Sequence, residues 1–100
     1  MKIILVCSAG MSTSLLVNKM KLSAKERNIK AKIKAVSEVD LENNLLNTDV
    51  ILIGPQVRYL AKKINKQAEP KGIKVDVIEQ MAYGLIQGDK VLEQAITLLQ

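Results

Sequence analysis

Four short stretches of the chain carry the hydrophobic patterns of β-strands. Lys2–Val6 and Val50–Ile53 are almost continuously apolar, which predicts strands buried on both faces of a sheet. Lys30–Val36 alternates strictly between lysine or polar positions and apolar ones, and Lys74–Ile78 is interrupted by Asp76. Alternation of this kind is typical of strands at the edge of a sheet, where charged side chains discourage pairing with another sheet.

Helical periodicity follows the first and third of these strands. The first helix is predicted over Thr13–Arg27, with Leu15 widening its buried face, and a second helix follows the turn Gly54-Pro55-Gln56 and ends at Pro70 and Gly72. The apolar stripes of the two helices are Leu16, Met20 and Ala24 in the first, and Val57, Leu60, Ala61, Ile64 and Ala68 in the second.

Two further helices are predicted with less regular patterns. Ser37 and Asp40 form a capping signal, so a short helix is expected to run through Leu46. Asp89 is expected to cap a final helix, and Met81–Gly84 is expected to lie in the connection before it. The final helix would bury one face formed by Val91, Leu92, Ala95, Ile96 and Leu99.

The strand–helix alternation, repeated four times, predicts an α/β fold with a four-stranded parallel sheet in one three-layer domain over residues 1–100. Placing the two apolar strands in the centre requires the order 2-1-3-4. Ligands of such sheets bind beyond the carboxyl ends of the strands where the order reverses, here between strands one and three. Cys7 follows the first of these strands and Gly54-Pro55-Gln56 follows the other.

The segment after the first strand has the composition of an anion-binding loop. It consists of Cys7 followed by Ser8, Ala9, Gly10, Met11, Ser12, Thr13 and Ser14, and no acidic residue precedes Glu26. Loop amides and the positive end of a helix dipole would hold a phosphate and favour the thiolate of Cys7. We therefore expect Cys7 to be a nucleophile that accepts a phosphoryl group held by Ser8–Ser14. The alternative is a structural role, with Cys7 buried and Ser12 or Thr13 merely capping the helix.

Composition excludes several other classes of site. The 100 residues contain one cysteine, no histidine and two tyrosines, with a formal net charge of +5. An internal disulfide, histidine-ligated metal and cysteine–histidine catalysis are thereby excluded. The scattered lysines and scarce aromatics give no indication of a nucleic-acid partner. No apolar run has the length of a membrane span and no signal-peptide pattern precedes Ile3, so a cytoplasmic protein with reduced Cys7 is expected.

Three motifs together resemble a known family. The loop Cys7–Ser14, the turn Gly54-Pro55-Gln56 and the pair Tyr83-Gly84 are similar to the enzyme IIB component of the sugar phosphotransferase system, in its lactose/cellobiose branch, which includes the chitobiose-type proteins. The resemblance covers essentially the whole chain. It implies a phosphotransferase component without a metal or other cofactor, in which the loop Ser8–Ser14 holds the phosphate.

The resemblance also implies partners. A phosphohistidine of a separate enzyme IIA would donate to Cys7, and the phosphocysteine would donate to a sugar carried by the membrane permease, enzyme IIC. The sugar would be a β-linked disaccharide such as cellobiose, chitobiose or lactose. Met11 and Tyr83 are candidate docking contacts for these partners, or else pack locally.

Two other functions remain open from the residues. Low-molecular-weight tyrosine phosphatases and arsenate reductases carry a similar cysteine loop on a similar sheet, but phosphatases place an arginine where this chain has Thr13 and also use an Asp-Pro acid loop that is absent here. A non-catalytic regulatory module with the same fold is the other alternative.

Overall fold

The computed structural model describes residues 1–7 and 11–100 and contains the predicted alternation of strands and helices. Short 3₁₀ segments at Glu42–Asn44, Pro55–Leu60 and Glu69–Lys71 flank the second and third helices. The strands and helices are β1 (Lys2–Val6), α1 (Met11–Glu26), β2 (Lys32–Val36), α2 (Glu38–Leu41), β3 (Val50–Ile53), α3 (Ala61–Ala68), β4 (Lys74–Val77), α4 (Gln80–Gly84) and α5 (Gly88–Leu99).

All four strands are parallel and lie in the order β2-β1-β3-β4, as predicted. The register aligns the carboxyl ends of the central strands, because Val6 lies beside Val36 on one side and beside Ile53 on the other. Ile53 in turn lies beside Val77 of β4. The segments that follow the four strands therefore start at a common edge of the sheet.

The sheet separates two hydrophobic clusters. On one face, Ile3 and Leu5 of β1 pack with side chains of α1 and α5. On the other face, Ile4 and Val6 pack with Leu41 of α2 and with residues of α3. Successive side chains of a strand point to opposite faces, so a continuously apolar strand is buried on both. This confirms the three layers expected from the sequence.

Most of the predicted helical stripes are buried, but Leu15 of α1 and Leu99 at the end of α5 (41%) are exposed. Leu16, Met20 and Ala24 of α1 lie in the core, and Val17 joins them. Leu15 was expected to widen this face, but half of its surface is exposed (52%). The reason is geometric: at about 100° per residue, Leu15 lies about 100° from Leu16, on the side of the helix away from Met20 and Ala24.

Three predictions about helix ends were wrong in detail. Ser37 occupies the N-cap position of α2, but its hydroxyl donates to the Asp40 carboxylate (3.2 Å) rather than capping the backbone, and α2 ends at Leu41. Asp89 lies within the first turn of α5, whose N-cap is Gln87. Met81 to Gly84, expected in a connection, form most of α4.

The missed helix α4 has a cap of its own. The carboxylate of Glu79 accepts a hydrogen bond from the amide of Ala82 (2.7 Å), which satisfies one of the free donors at the helix start. Ala82 is buried in the cluster formed by α1 and α5. Within residues 1–7 and 11–100, no helix combines the length and the apolar composition needed to cross a bilayer.

Candidate functional site

Cys7 and the Gly54-Pro55-Gln56 turn meet at the carboxyl edge of the sheet. The amide of Gly54 donates to the carbonyl oxygen of Val6 (2.8 Å), and the amide of Cys7 donates to that of Val36 (3.4 Å). A Cβ atom added at Gly54 would lie 3.3 Å from the Cβ of Cys7 and 3.0 Å from Oε1 of Gln56. A glycine at position 54 therefore lets the turn approach Cys7 closely.

Thr13 connects this edge to α4. Its side chain lies in the first turn of α1 and is 5% exposed. Its Oγ1 atom is 3.3 Å from the hydroxyl oxygen of Tyr83, which lies on α4, 70 residues further along the chain. Thr13 also makes a side-chain hydrogen bond with Cys7. The three side chains therefore form a continuous chain from the sulfur to the tyrosine.

The surroundings of Cys7 act on its thiol in opposite directions. Cys7 is a free cysteine and is 7% exposed. Burial raises the pKa of the thiol above its ordinary value, because the charged thiolate loses its hydration, and the hydrogen bond of Thr13 acts against this by stabilising the thiolate. The net direction is upward, opposite to the lowered pKa expected from the sequence.

A polar cleft of about 370 Å³ opens beside the site, between the turn after β3 and α4. It contains two amide side chains, one guanidinium and one phenol, and no carboxylate. Its lining residues are Pro55, Gln56, Arg58, Gln80, Tyr83 and Gly84. Because Gln56 and Tyr83 also border the Cys7 region, the cleft is an extension of the same edge.

The predicted phosphate loop is described only in part. Ser8, Ala9 and Gly10 lie outside the described residues, as do the side chains of Met11 and Ser12. Of the remaining predicted loop residues, Thr13 is buried beside Cys7 and Ser14 is exposed. The cradle formed by Ser8–Ser14 stays a prediction, as does a docking role for Met11.

Sequence reasoning did not find the link between Thr13 and Tyr83. The sequence predicts Thr13 as part of the loop and Tyr83 as a docking contact, but no local pattern relates positions so far apart. Tyr83 is half-buried and directs its hydroxyl at Thr13. The cap formed by Glu79, which holds the start of α4, was also missed, since glutamate is not among the preferred N-cap residues.

Comparison with known proteins identifies relatives over nearly the whole chain. A family model described as "PTS system, Lactose/Cellobiose specific IIB subunit" matches residues 2–94. The PTS system oligo-beta-mannoside-specific EIIB component of Bacillus subtilis is 45% identical over 98 residues, which cover 98% of this chain and 95% of the relative.

Two other relatives also match nearly the whole chain. The PTS system galactose-specific EIIB component of Lactococcus lactis subsp. cremoris is 45% identical and covers 97% of this chain and 94% of its own length. The solution structure of a cellobiose-specific phosphotransferase IIB component protein from Borrelia burgdorferi is 43% identical, with a TM-score of 0.80 over 98% of this chain and 90% of the neighbour. Relatives of nearly equal identity are thus named for different sugars.

Proposed function

This chain belongs to the lactose/cellobiose-specific IIB subunits of the sugar phosphotransferase system, and we propose that Cys7 is the residue that carries the phosphoryl group. The observation that supports this assignment most directly is the position of Cys7. It is the single cysteine of a chain without histidine, at the carboxyl end of a central strand, where the strand order reverses. The thiolate of Cys7 is also a stronger nucleophile than the hydroxyls of Thr13 and Tyr83 near it.

The proposed reaction consists of two displacements at phosphorus. The Cys7 thiolate attacks the phosphohistidine of enzyme IIA, so that a sulfur–phosphorus bond forms, a nitrogen–phosphorus bond breaks, and the electron pair returns to the imidazole. A sugar hydroxyl then attacks the phosphocysteine, an oxygen–phosphorus bond forms, and the thiolate leaves. A base of the permease, enzyme IIC, removes the hydroxyl proton.

The residues of this chain would bind and shield the phosphoryl group rather than supply acid–base catalysis. The amides and hydroxyls of Ser8–Ser14 are the proposed donors to the phosphoryl oxygens. They carry no fixed positive charge, so the phosphocysteine is held without being trapped. Burial of Cys7 restricts the access of water, which favours transfer to a docked partner over hydrolysis.

Four exposed apolar side chains, here called the apolar rim, support docking of enzyme IIA. The rim consists of Leu15, Val39, Tyr59 and Met81, each exposed over at least half of its surface. Each of the four lies three to nine residues after the end of a strand, near the start of the helical segment that follows, which supports a position toward the carboxyl edge. Exposed large apolar side chains collected around a reactive group are typical of a protein–protein contact.

The remaining assignments follow from the proposed relay. Residues 1–100 form one IIB domain that works in the cytoplasm and exchanges phosphoryl groups with enzyme IIA and enzyme IIC. The transported sugar is a β-linked disaccharide such as cellobiose, chitobiose or lactose. The cleft lined by Arg58 and Tyr83 lies where a partner seated over Cys7 would cover it.

The experiment that tests the relay is intact-mass spectrometry at mildly alkaline pH. The protein is incubated with a phosphoenolpyruvate-driven phosphorylation mixture that contains an enzyme IIA of the lactose/cellobiose class. We expect one phosphoryl adduct on the wild type, complete loss of the adduct in Cys7→Ser, and retention in the control Ser23→Ala, which alters α1 at its far end. Thermal unfolding of both variants checks that they remain folded.

Other outcomes would contradict the assignment. An adduct that persists in Cys7→Ser would place the phosphoryl group on another residue. A wild-type protein that takes up no phosphoryl group but hydrolyses para-nitrophenyl phosphate would favour the phosphatase alternative.

A further inference from the structure

The hydroxyl of Thr13 has two partners and only one proton. Its oxygen lies 3.3 Å from the hydroxyl oxygen of Tyr83, and it also bonds with the side chain of Cys7. A hydroxyl can donate once and can accept at its lone pairs. If Thr13 donates to Tyr83, its proton is not available to the sulfur. The direction of the bond between Thr13 and Tyr83 therefore decides whether Thr13 can donate a hydrogen bond to Cys7.

We propose that Tyr83 is a positioning residue for Cys7, whose phenolic hydroxyl donates to Thr13 and thereby directs the Thr13 proton to the sulfur. A phenol is a stronger hydrogen-bond acid than an aliphatic alcohol, so the favoured arrangement runs from Tyr83 to Thr13 to Cys7. Once sulfur is bonded to phosphorus it carries no negative charge, and the same Thr13 proton is free to bond a phosphoryl oxygen. This proposal deepens the proposed function and rests on it.

Tyr83 is held where it can do this. The helix α4 starts at the Glu79 carboxylate, which accepts from the amide of Ala82 (2.7 Å), and Ala82 is buried against the core. The amide of Tyr83 itself donates to the carbonyl oxygen of Glu79 (3.0 Å). The ring is half-buried between this helix and the neighbouring core cluster. The position of the phenol is thus set by the packing of the fold.

Among the described residues, no charged side chain is hydrogen-bonded to the side chains of Cys7, Thr13 or Tyr83. After β2, Glu38 is paired with Lys63 (2.7 Å). After β3, Arg58 lines the polar cleft, and after β4, the Glu79 carboxylate caps α4. On α1, Thr13 is the side chain that bonds with Cys7. The variants below leave all of these charges unchanged, so a change in thiol ionisation would report on the hydroxyl chain.

The test is the pH profile of Cys7 alkylation by iodoacetamide, which reports the thiolate without any phosphoryl donor or partner. In Tyr83→Phe the Thr13 hydroxyl keeps the sulfur as a partner but loses the donor that polarises its O–H bond and fixes its rotation. We therefore expect the profile to move to higher pH, with alkylation about threefold slower at a fixed pH below the thiol pKa. The factor is small because 3.3 Å is long for a bond between two hydroxyls. The control is Thr97→Val, which removes a hydroxyl from α5 outside this hydrogen-bonded chain and should leave the profile unchanged.

A double-mutant cycle separates a positioning role from a general effect on packing. Thr13→Val should move the profile in the same direction, Thr13→Ser should preserve it, and Tyr83→Phe should have no further effect in the Thr13→Val background. A wild-type profile in Tyr83→Phe would overturn the proposal, and so would an equal shift in both backgrounds. The contrast between Thr13→Ser and Thr13→Val is a second test, and equal profiles for these two variants would also overturn the proposal.

The alkylation profile and the phosphoryl adduct can fail independently. An adduct on Cys7 with no effect of Tyr83→Phe would leave the relay intact and remove Tyr83 from it. A shifted profile in a protein that accepts no phosphoryl group would retain the hydroxyl chain and remove the relay.

Discussion

Two influences of different range act on the thiol of Cys7. Burial removes water from the whole sulfur and raises the pKa, whereas Thr13 stabilises the thiolate through a single contact and lowers it. The larger of the two is burial. Burial that protects a phosphocysteine from water therefore also makes the free thiol harder to ionise. We expect a docked partner to lower the thiol pKa by adding hydrogen-bond donors near the sulfur.

The raised pKa of Cys7 predicts how stability depends on pH. Over the range between the thiol pKa of the unfolded chain and the raised value in the folded chain, the folded protein keeps a proton that the unfolded chain has lost. The free energy of unfolding should therefore fall as pH rises through this range, whereas the contribution of the thiol is fully present at lower pH. Chemical denaturation at a series of pH values measures it.

Cys7→Ser is the control, because serine does not ionise there and the lysines titrate equally in both proteins. Above the ordinary thiol pKa, we expect the free energy of unfolding of the wild type to fall relative to that of Cys7→Ser. A difference that is independent of pH would contradict the raised value.

At the scale of elements, strands were predicted more accurately than helix ends. Val50–Ile53 matches the observed β3 and Lys2–Val6 matches β1, because a strand between two helical layers must be apolar throughout. Helix ends depend on which of several polar side chains reaches a free amide. Ser37 is a preferred N-cap residue, but its hydroxyl donates to the Asp40 carboxylate instead of accepting from a backbone amide. Glu79 caps α4 although glutamate is not a preferred N-cap residue.

The packing of α1 on α5 depends on one glycine. A Cβ atom at Gly88 would lie 2.6 Å from backbone and side-chain atoms of Lys19 and from the amide nitrogen of Met20. Backbone atoms cannot move aside as a flexible side chain can, so α5 would have to shift away from α1. We expect Gly88→Ala to lower the free energy of unfolding by about 1–3 kcal/mol.

Gly84 provides the comparison for this substitution. It lies in α4, and apart from its chain neighbours and the backbone of its own helix, no atom of the described residues lies within 4 Å of the position its Cβ would occupy. Gly84→Ala should leave stability unchanged or raise it by about 0.5 kcal/mol, since alanine favours helix and restricts the unfolded chain. Equal effects of the two substitutions in urea denaturation would show that the close contact at Gly88 does not limit the packing of the helices.

At the scale of the molecule, the parallel sheet gives the domain two unlike edges. The carboxyl edge holds Cys7 and the apolar rim, whereas the opposite edge carries the connections that enter the strands, such as Leu46 before β3. Reaction partners need access to only one of these edges. Substitutions of similarly exposed residues at the two edges should therefore have unequal effects on phosphoryl transfer.

Met81→Lys tests this difference, with Leu46→Lys as its control. Both residues are exposed apolar side chains, at 66% and 79%. We expect Met81→Lys to slow phosphoryl arrival from enzyme IIA about tenfold at partner concentrations below saturation, which corresponds to about 1.4 kcal/mol of lost binding, and Leu46→Lys to leave the rate unchanged. Equal rates for the two variants would remove Met81 from the docking surface.

The pattern of apolar and polar residues by itself determined the four strands, their parallel arrangement and the order β2-β1-β3-β4, because burial on one or both faces decides which strands are central. That order, with the chain positions of Cys7 and Gly54, was enough to locate the candidate site. Only the tertiary structure decided that Leu15 is exposed, that burial outweighs Thr13 at the sulfur, and that Tyr83 reaches Thr13. These are contacts and exposures between distant parts of the chain, and they depend on how closely α1, α4 and the sheet pack.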